Sequence, residues 1–207
     1  MEPTNPMIQG NPMNPKDPKK ALTQPPAKKR LATVWLTGCS GCHMSFLDLD
    51  EWLFELAELA DIVYSPVASD CKTYPNAVDI CLVEGGVGTS DNLRLIRQVR
   101  QRTRVLISFG DCAITANVPG MRNNLAGIDA VLGTAYGAAA QLFSQLPEDS
   151  GPVPKLLDQV LPVHELVPVD LYLPGCPPSA TRIRAALEPL LHDCWPELSG
   201  PELIRFG

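Results

Sequence analysis

The sequence has no run of about 18 apolar residues, which is the length a helix needs to cross a bilayer. It also lacks a secretory signal and a twin-arginine motif. The basic triplet at 28–30 precedes an apolar run, LATVWLTG, that is too short for a signal peptide. Neither an internal repeat nor a dinucleotide-binding glycine fingerprint is visible. We therefore expect a cytoplasmic protein with no membrane span.

The charge and cysteine content exclude two further classes. The formal net charge is −6, and residues 1–30 carry six Lys and Arg against two acidic residues, which leaves −10 for the remainder. An acidic body argues against nucleic acid as the main ligand. Seven cysteines is an odd number, and without a secretory segment it argues against a disulfide scaffold and for a reducing compartment.

Two regions differ in composition. Residues 1–30 hold seven of the 21 prolines and almost no apolar periodicity. Such a segment cannot offset its own ordering entropy, so we expect a disordered or extended arm, either a passive tail or one that wraps a partner. Residues 31–207 can bury one sizeable core and are predicted to form a single domain.

From residue 31 onward, strand-like and helix-like segments alternate. Five strands are predicted, at 30–38, 61–68, 78–86, 104–112 and 169–175. Helices are predicted at 45–60, at 90–102 with Ser90 as N-cap, near 135–145 and at 180–195. This repetition implies parallel strands with right-handed crossovers. The predicted fold class is α/β: a doubly wound, flavodoxin-like, mostly parallel sheet with flanking helices.

Four cysteines lie in Gly-rich turns that follow apolar runs. Cys39 and Cys42 lie in LTGCSGCHMS, Cys112 in SFGDCA and Cys176 in LPGCPPS. Loops that follow parallel strands emerge at the carboxyl edge of a sheet, where ligands bind in open α/β folds. We therefore expect all four thiolates to meet at one place.

Gathered thiolates favour an iron–sulfur cluster or zinc over a catalytic nucleophile. One CxxC pair with two solitary cysteines suits a [4Fe–4S] cluster better than structural zinc, which usually takes two such pairs. A zinc-stabilised assembly subunit without a redox role is the alternative. A thioredoxin-like CxxC pair would leave Cys112 and Cys176 unexplained.

Glycines accompany these cysteines and are expected to let the backbone approach a cluster and to donate N–H groups to its sulfurs. They are Gly38, Gly41, Gly110 and Gly175. Of the remaining cysteines, Cys81 and Cys194 are predicted to be buried as small apolar residues, and Cys71 is the spare candidate ligand.

Together, LTGCSGCHMS, LVEGGV, SFGDCA and LPGCPPS resemble the small subunit of [NiFe] hydrogenases, whose core also occurs in the 20 kDa subunit of respiratory complex I. The resemblance covers residues 31 to about 190. Complex I relatives carry adjacent cysteines in the first motif, whereas this chain has CxxC, as hydrogenases do. It most resembles the short small subunit of cytoplasmic, bidirectional NAD-reducing hydrogenases, which lacks a C-terminal domain with two further clusters.

The resemblance implies that the four cysteines hold one [4Fe–4S] cluster beside a Ni–Fe site in a separate large subunit. Electrons from H2 oxidation would pass singly through this cluster to diaphorase subunits with FMN and further iron–sulfur clusters, where NAD⁺ is reduced. The chain would thus be a subunit of an NAD-reducing hydrogenase without catalytic residues of its own. Consistent with this, it has no second set of paired cysteines that could hold nickel.

Three residues near the cysteines have candidate roles. Glu84 in LVEGGV matches a family glutamate near the subunit contact, or it caps backbone amides at a strand end. His43 donates to a cluster sulfur or is an ordinary histidine at a helix start, and Ser45 is a candidate helix cap. Many family members carry a glutamate directly before the first cluster cysteine, where this chain has Gly38.

Two other functions stay open. One is a complex I-like subunit that relays electrons to a quinone or another acceptor. The other is a flavodoxin-like protein that holds FMN at the same sheet edge, and an extra FMN in a hydrogenase subunit is a further variant.

Overall fold

The computed structural model describes residues 27–137 and 153–200. The strands there are β1 (Lys29–Trp35), β2 (Ala60–Tyr64), β3 (Val78–Glu84), β4 (Val87–Thr89), β5 (Thr103–Phe109), β6 (Leu156–Leu161) and β7 (Leu171–Leu173). The α-helices are α1 (Gly41–Leu47), α2 (Trp52–Leu59), α3 (Ser90–Arg102), α4 (Asp111–Thr115), α5 (Asn117–Gly120), α6 (Ile128–Tyr136) and α7 (Ala180–Leu191). Short 3-10 turns lie at Met121–Asn124 and Val163–Glu165.

The main sheet has five parallel strands in the order β2-β1-β3-β5-β7. Alternate side chains of each strand serve opposite faces. Leu31 and Leu82 pack with α1, α2 and α7 on one face, and Ala32 and Val83 pack with α3 on the other. Helices therefore cover both faces, and the predicted doubly wound α/β fold is confirmed.

The pairing register sets the carboxyl ends of four strands side by side. Trp35 pairs with Glu84, Glu84 with Phe109, and Phe109 with Leu173. Each of these residues is the last of its strand. The loops that follow β1, β3, β5 and β7 therefore leave the sheet in one row.

Several predicted boundaries need correction. The helix predicted at 45–60 is two helices, because Asp50 adopts a left-handed φ of 49° in the turn between α1 and α2. The N-cap of α3 is Thr89, whose hydroxyl accepts from the amide of Asn92, rather than Ser90. The antiparallel pair of β4 and β6 was not predicted at all.

Two further predictions, the arm at 1–30 and the helix near 135–145, fall partly outside the described residues. The predicted arm ends at residue 30, but β1 already includes Lys29; most of that arm lies outside the described residues. Of the range near 135–145, where a helix is expected, α6 includes residues 135 and 136, and residues 138–145 lie outside the described residues. No described helix combines the length and apolar character required to traverse a membrane.

The central strand generates a test of the core. Leu82 is completely buried in β3, so Leu82→Ala is expected to cost about 2–5 kcal/mol in the free energy of unfolding. Phe54, which is 77% exposed, provides the control, and Phe54→Ala should cost about 0.5 kcal/mol or less. Urea unfolding of the full chain measures both. Equal losses would contradict the assigned core.

Candidate metal centre

Three loops at the carboxyl edge carry the four predicted cysteine ligands. Cys39 lies in the exposed turn after β1, and Cys42 is buried in the first turn of α1. Cys112 is half-buried in α4 directly after β5, and Cys176 is exposed in the loop after β7. Because these strands end side by side, the cysteine loops leave the sheet at the same edge, as the sequence predicted.

The four thiols are close enough to influence one another. The pKa of Cys42 lies far above its ordinary value, mainly because the thiol is buried, then because of the nearby Glu84 carboxylate and the thiols of Cys112, Cys39 and Cys176. Burial also raises the pKa of Cys112. A backbone hydrogen bond from Val118 lowers it, and the nearby Cys176, Cys39 and Glu84 raise it further. The site is therefore a shared, partly buried thiol environment.

The thiols do not converge on a single point. In residues 27–137 and 153–200, no group of three or more His, Cys, Asp or Glu side chains has the spacing of a single-ion site. Electrostatic coupling acts over longer distances than direct coordination does. The other thiols therefore influence that of Cys42 electrostatically without having the spacing of a single-ion site.

The glycine backbone of the cysteine loops makes close contacts, two of them with cysteine sulfurs. Gly110 has a φ of 83°, and a Cβ at this position would stand less than 3.0 Å from the sulfur of Cys42. A Cβ at Gly41 would stand 3.3 Å from the sulfur of Cys39. Gly175 has a φ of 136°, and a Cβ there would meet Pro178 Cα at 2.6 Å. Close approach of this backbone to a bound cluster stays a prediction.

The predicted N–H donors need a correction at two glycines. Gly110 N donates to Leu173 O at 2.9 Å, and Gly175 N donates to Asp111 Oδ1 at 2.7 Å. Both amides therefore already have hydrogen-bond partners inside the protein. These bonds join the loop after β5 to β7 and to the loop that follows β7. Donation to a cluster from Gly38 and Gly41 stays a prediction.

Glu84 and His43 form a buried pair behind Cys42, and each residue is 1% exposed. Glu84 Oε2 accepts a hydrogen bond from the amide of His43 at 3.0 Å and also contacts His43 Nδ1. The N-cap of α1, Ser40, makes no side-chain cap bond, so the Glu84 carboxylate caps this helix from β3. Because a carboxylate accepts, the proton between them belongs on Nδ1, and Nε2 has no partner among the described residues.

Other side chains join the cysteine loops to one another. The Ser45 hydroxyl donates to Pro178 O and so ties α1 to the loop of Cys176. The sequence suggests that Ser45 is a helix cap, but the residue lies inside α1 and links this helix to the loop of Cys176. Arg182, buried in α7, donates to Pro174 O at the start of the same loop. Ser45 and Pro178 lie 133 residues apart, so no local sequence signal indicates their link.

The other three cysteines lie apart from this site. Cys81 is buried in β3, where burial raises its pKa to about 12, as expected of a small core residue. Cys194 was predicted to be buried, but it follows α7 and is exposed. Cys71 is exposed, and its thiol donates to Thr73 O. It is not among the thiols that raise the pKa of Cys42.

Comparison with known proteins identifies related chains. Residues 39–190 match the family model of the NADH ubiquinone oxidoreductase 20 kDa subunit. A chain in the crystal structure of an NAD⁺-reducing [NiFe]-hydrogenase in the H2-reduced state superposes with a TM-score of 0.81 and 40% identity, over 87% of this chain and all of that one.

Two curated relatives differ in length. The delta subunit of the NAD-reducing hydrogenase HoxS from Cupriavidus necator is 35% identical, over 87% of both chains. A subunit of the F420-non-reducing hydrogenase vhu from Methanococcus voltae is 38% identical, over 83% of this chain and 59% of the relative. The chain thus spans only about three fifths of this second relative.

The glycine geometry generates a matched pair of variants. Gly110→Ala adds a methyl group against the Cys42 sulfur and strains a positive φ, so we expect bound iron to be lost. Gly127→Ala strains a φ of 100° but meets nothing within 4 Å, so we expect it to retain iron and lose only about 1–2 kcal/mol of stability. Iron and sulfide assays after anaerobic purification provide the measurement. Equal iron content in the two variants would contradict the steric role of Gly110.

Proposed function

Because the chain belongs to the NADH ubiquinone oxidoreductase 20 kDa subunit family, we propose that it is an electron-transferring iron–sulfur subunit of a [NiFe] hydrogenase. The observation that carries the proposal is that the loops of Cys39, Cys42, Cys112 and Cys176 leave the sheet at one edge, where the other three thiols influence that of Cys42 electrostatically. The proposed domain comprises residues 31–207, and the proposed location is the cytoplasm.

These four cysteines are the proposed ligands of one [4Fe–4S] cluster. Thiolates are the soft donors that such clusters require, and the glycine backbone at Gly41 and Gly110 leaves room beside two of the sulfurs. The electrostatic coupling of Cys42 with the other three thiols supports a shared ligand set. When bound, the cluster supplies one-electron transfer.

The residues around the ligands hold and insulate the site. Cys42 packs in the core cluster that contains Phe46 and Phe109, which shields one side of the centre from water. A backbone hydrogen bond from Val118 favours the thiolate of Cys112. The chain's own contribution is therefore to position the thiolates and to set their surroundings.

The opposite side of the centre supports docking of a partner that contains the Ni–Fe site. Four apolar side chains at the end of β1 or after β1 and β5 are exposed: Trp35, Met44, Val118 and Met121. Apolar surface beside two exposed cysteines is typical of an interaction site. We propose that the hydrogenase large subunit covers this surface.

The proposed acceptor is NAD⁺, reached through diaphorase subunits with a flavin and further iron–sulfur clusters. This choice is supported by similarity to two chains of NAD-reducing enzymes. The chain is 40% identical to one in the NAD⁺-reducing [NiFe]-hydrogenase structure and 35% identical to the HoxS delta subunit, each over 87% of its residues.

Ligand replacement tests the metal site. Cys112→Ser is expected to remove the cluster and to lower H2-dependent dye reduction by more than the roughly 10–100-fold that loss of an outer-shell partner costs a metal site. Cys71→Ser and Cys194→Ser are the controls, because both thiols are exposed outside the centre. Iron content, electron paramagnetic resonance (EPR) and activity are measured on the complex. Unchanged iron and activity in Cys112→Ser would refute the assignment.

The identity of the complex is tested separately. Anaerobic purification of the tagged full chain with its native partners is expected to yield nickel, flavin and H2-dependent NAD⁺ reduction. Metal analysis and a spectrophotometric NADH assay measure these. Iron without nickel would favour the complex I-like relay, and nickel without NAD⁺ reduction would refute the proposed acceptor alone.

A further inference from the structure

Asp111 is a buried carboxylate between two residues of the centre, Gly110 and Cys112. It is the first residue of α4 and is only 8% exposed. A buried carboxylate is costly unless it is hydrogen-bonded, so its partner indicates its role.

That partner is Gly175, which directly precedes Cys176. Asp111 N donates to Gly175 O at 3.0 Å, and Gly175 N donates to Asp111 Oδ1 at 2.7 Å. The second distance is typical of a charge-assisted hydrogen bond. Two reciprocal bonds therefore join the residue before Cys112 to the residue before Cys176.

The same motif recurs at the other end of the same strand pair. Asp170 N donates to Leu106 O at 3.0 Å, and Leu106 N donates to Asp170 Oδ2 at 2.7 Å. Arg100 also pairs with Asp170 there. One carboxylate therefore fastens each end of β7 to the β5 region, but only the one from Asp111 lies among the cysteines.

The length of β7 explains why such fastening is needed. The strand has three residues and lies at the edge of the main sheet, so few ladder bonds fix it. Cys176 follows it by three positions and is exposed. Without Asp111, the position of Cys176 relative to Cys112 would depend on this short strand, on backbone contacts and on the links of Ser45 to Pro178 and of Arg182 to Pro174.

We propose that Asp111 is a positioning residue for the metal centre: its carboxylate, acting as a hydrogen-bond acceptor for Gly175 N, fixes the separation of Cys112 and Cys176. This inference rests on the proposed ligand set. It assigns Asp111 no contact with the cluster and no part in proton transfer.

The experiment compares three variants in the complex purified anaerobically. Asp111→Ala removes the acceptor, and iron release to a ferrous chelator is expected to accelerate about 10–100-fold, as when outer-shell partners of metal sites are lost. The EPR spectrum of the reduced centre should change as well. Asp111→Asn retains an acceptor oxygen of the same reach, so its release rate and spectrum should stay close to those of the wild type.

Asp170→Ala is the matched control. It removes the equivalent carboxylate at the far end of β7, so it should lower the urea midpoint of unfolding while leaving iron release and the spectrum unchanged. Urea unfolding of all three variants separates loss of fold from loss of position.

Three results would overturn the inference. They are wild-type iron release and spectrum in Asp111→Ala, equal defects in Asp111→Asn and Asp111→Ala, or equal spectral changes in Asp170→Ala and Asp111→Ala. In each case the wild-type complex still contains its cluster, so the proposed function stands. A wild-type complex without iron would instead refute the proposed function and this inference with it.

Discussion

The parallel register of β1, β3, β5 and β7 is the constraint on which the rest of the structure depends. It makes Trp35, Glu84, Phe109 and Leu173 neighbours at one edge, and each cysteine loop starts within a few residues of this row. A slip of one residue would move a loop by about 3.3 Å and turn its strand's core face toward the opposite layer. Because both faces are buried under helices, packing fixes the register, and the register fixes the site.

Burial and negative charge oppose each other at this edge. Burial and the Glu84 carboxylate both raise the pKa of the Cys42 thiol, so the chain alone favours the protonated form there. A thiolate set becomes favourable when a cation of soft character shares its charge, and its binding then displaces the proton. The same Glu84 caps α1 through the His43 amide, so the residue that makes the thiolate costly also holds Cys42 in place.

Much of the fold and the ligand loops could be predicted from the sequence because both depend on local patterns. Apolar runs marked the five main strands, and Gly-rich turns after them marked all four cysteines. The split between α1 and α2 depends on one left-handed aspartate, Asp50, which periodicity does not reveal. For Glu84, the sequence offered amide capping as one of two open roles. The partners of Glu84, Ser45 and Asp111 lie 41, 133 and 64 residues away, so no local signal could identify them.

The centre is asymmetric, and this asymmetry has a functional consequence under the proposed function. Cys42 faces the core, whereas Cys39 and Cys176 are exposed, as are Trp35 and Met44. An anionic cluster held this way would have a dry side and a wet side. A partner that covers the exposed side would remove water, strengthen the hydrogen bonds to the thiolates in a lower dielectric and shorten the path for an electron. Docking and redox tuning at this edge are therefore one physical event, which explains why an electron carrier would leave half of its centre uncovered until it meets its partner.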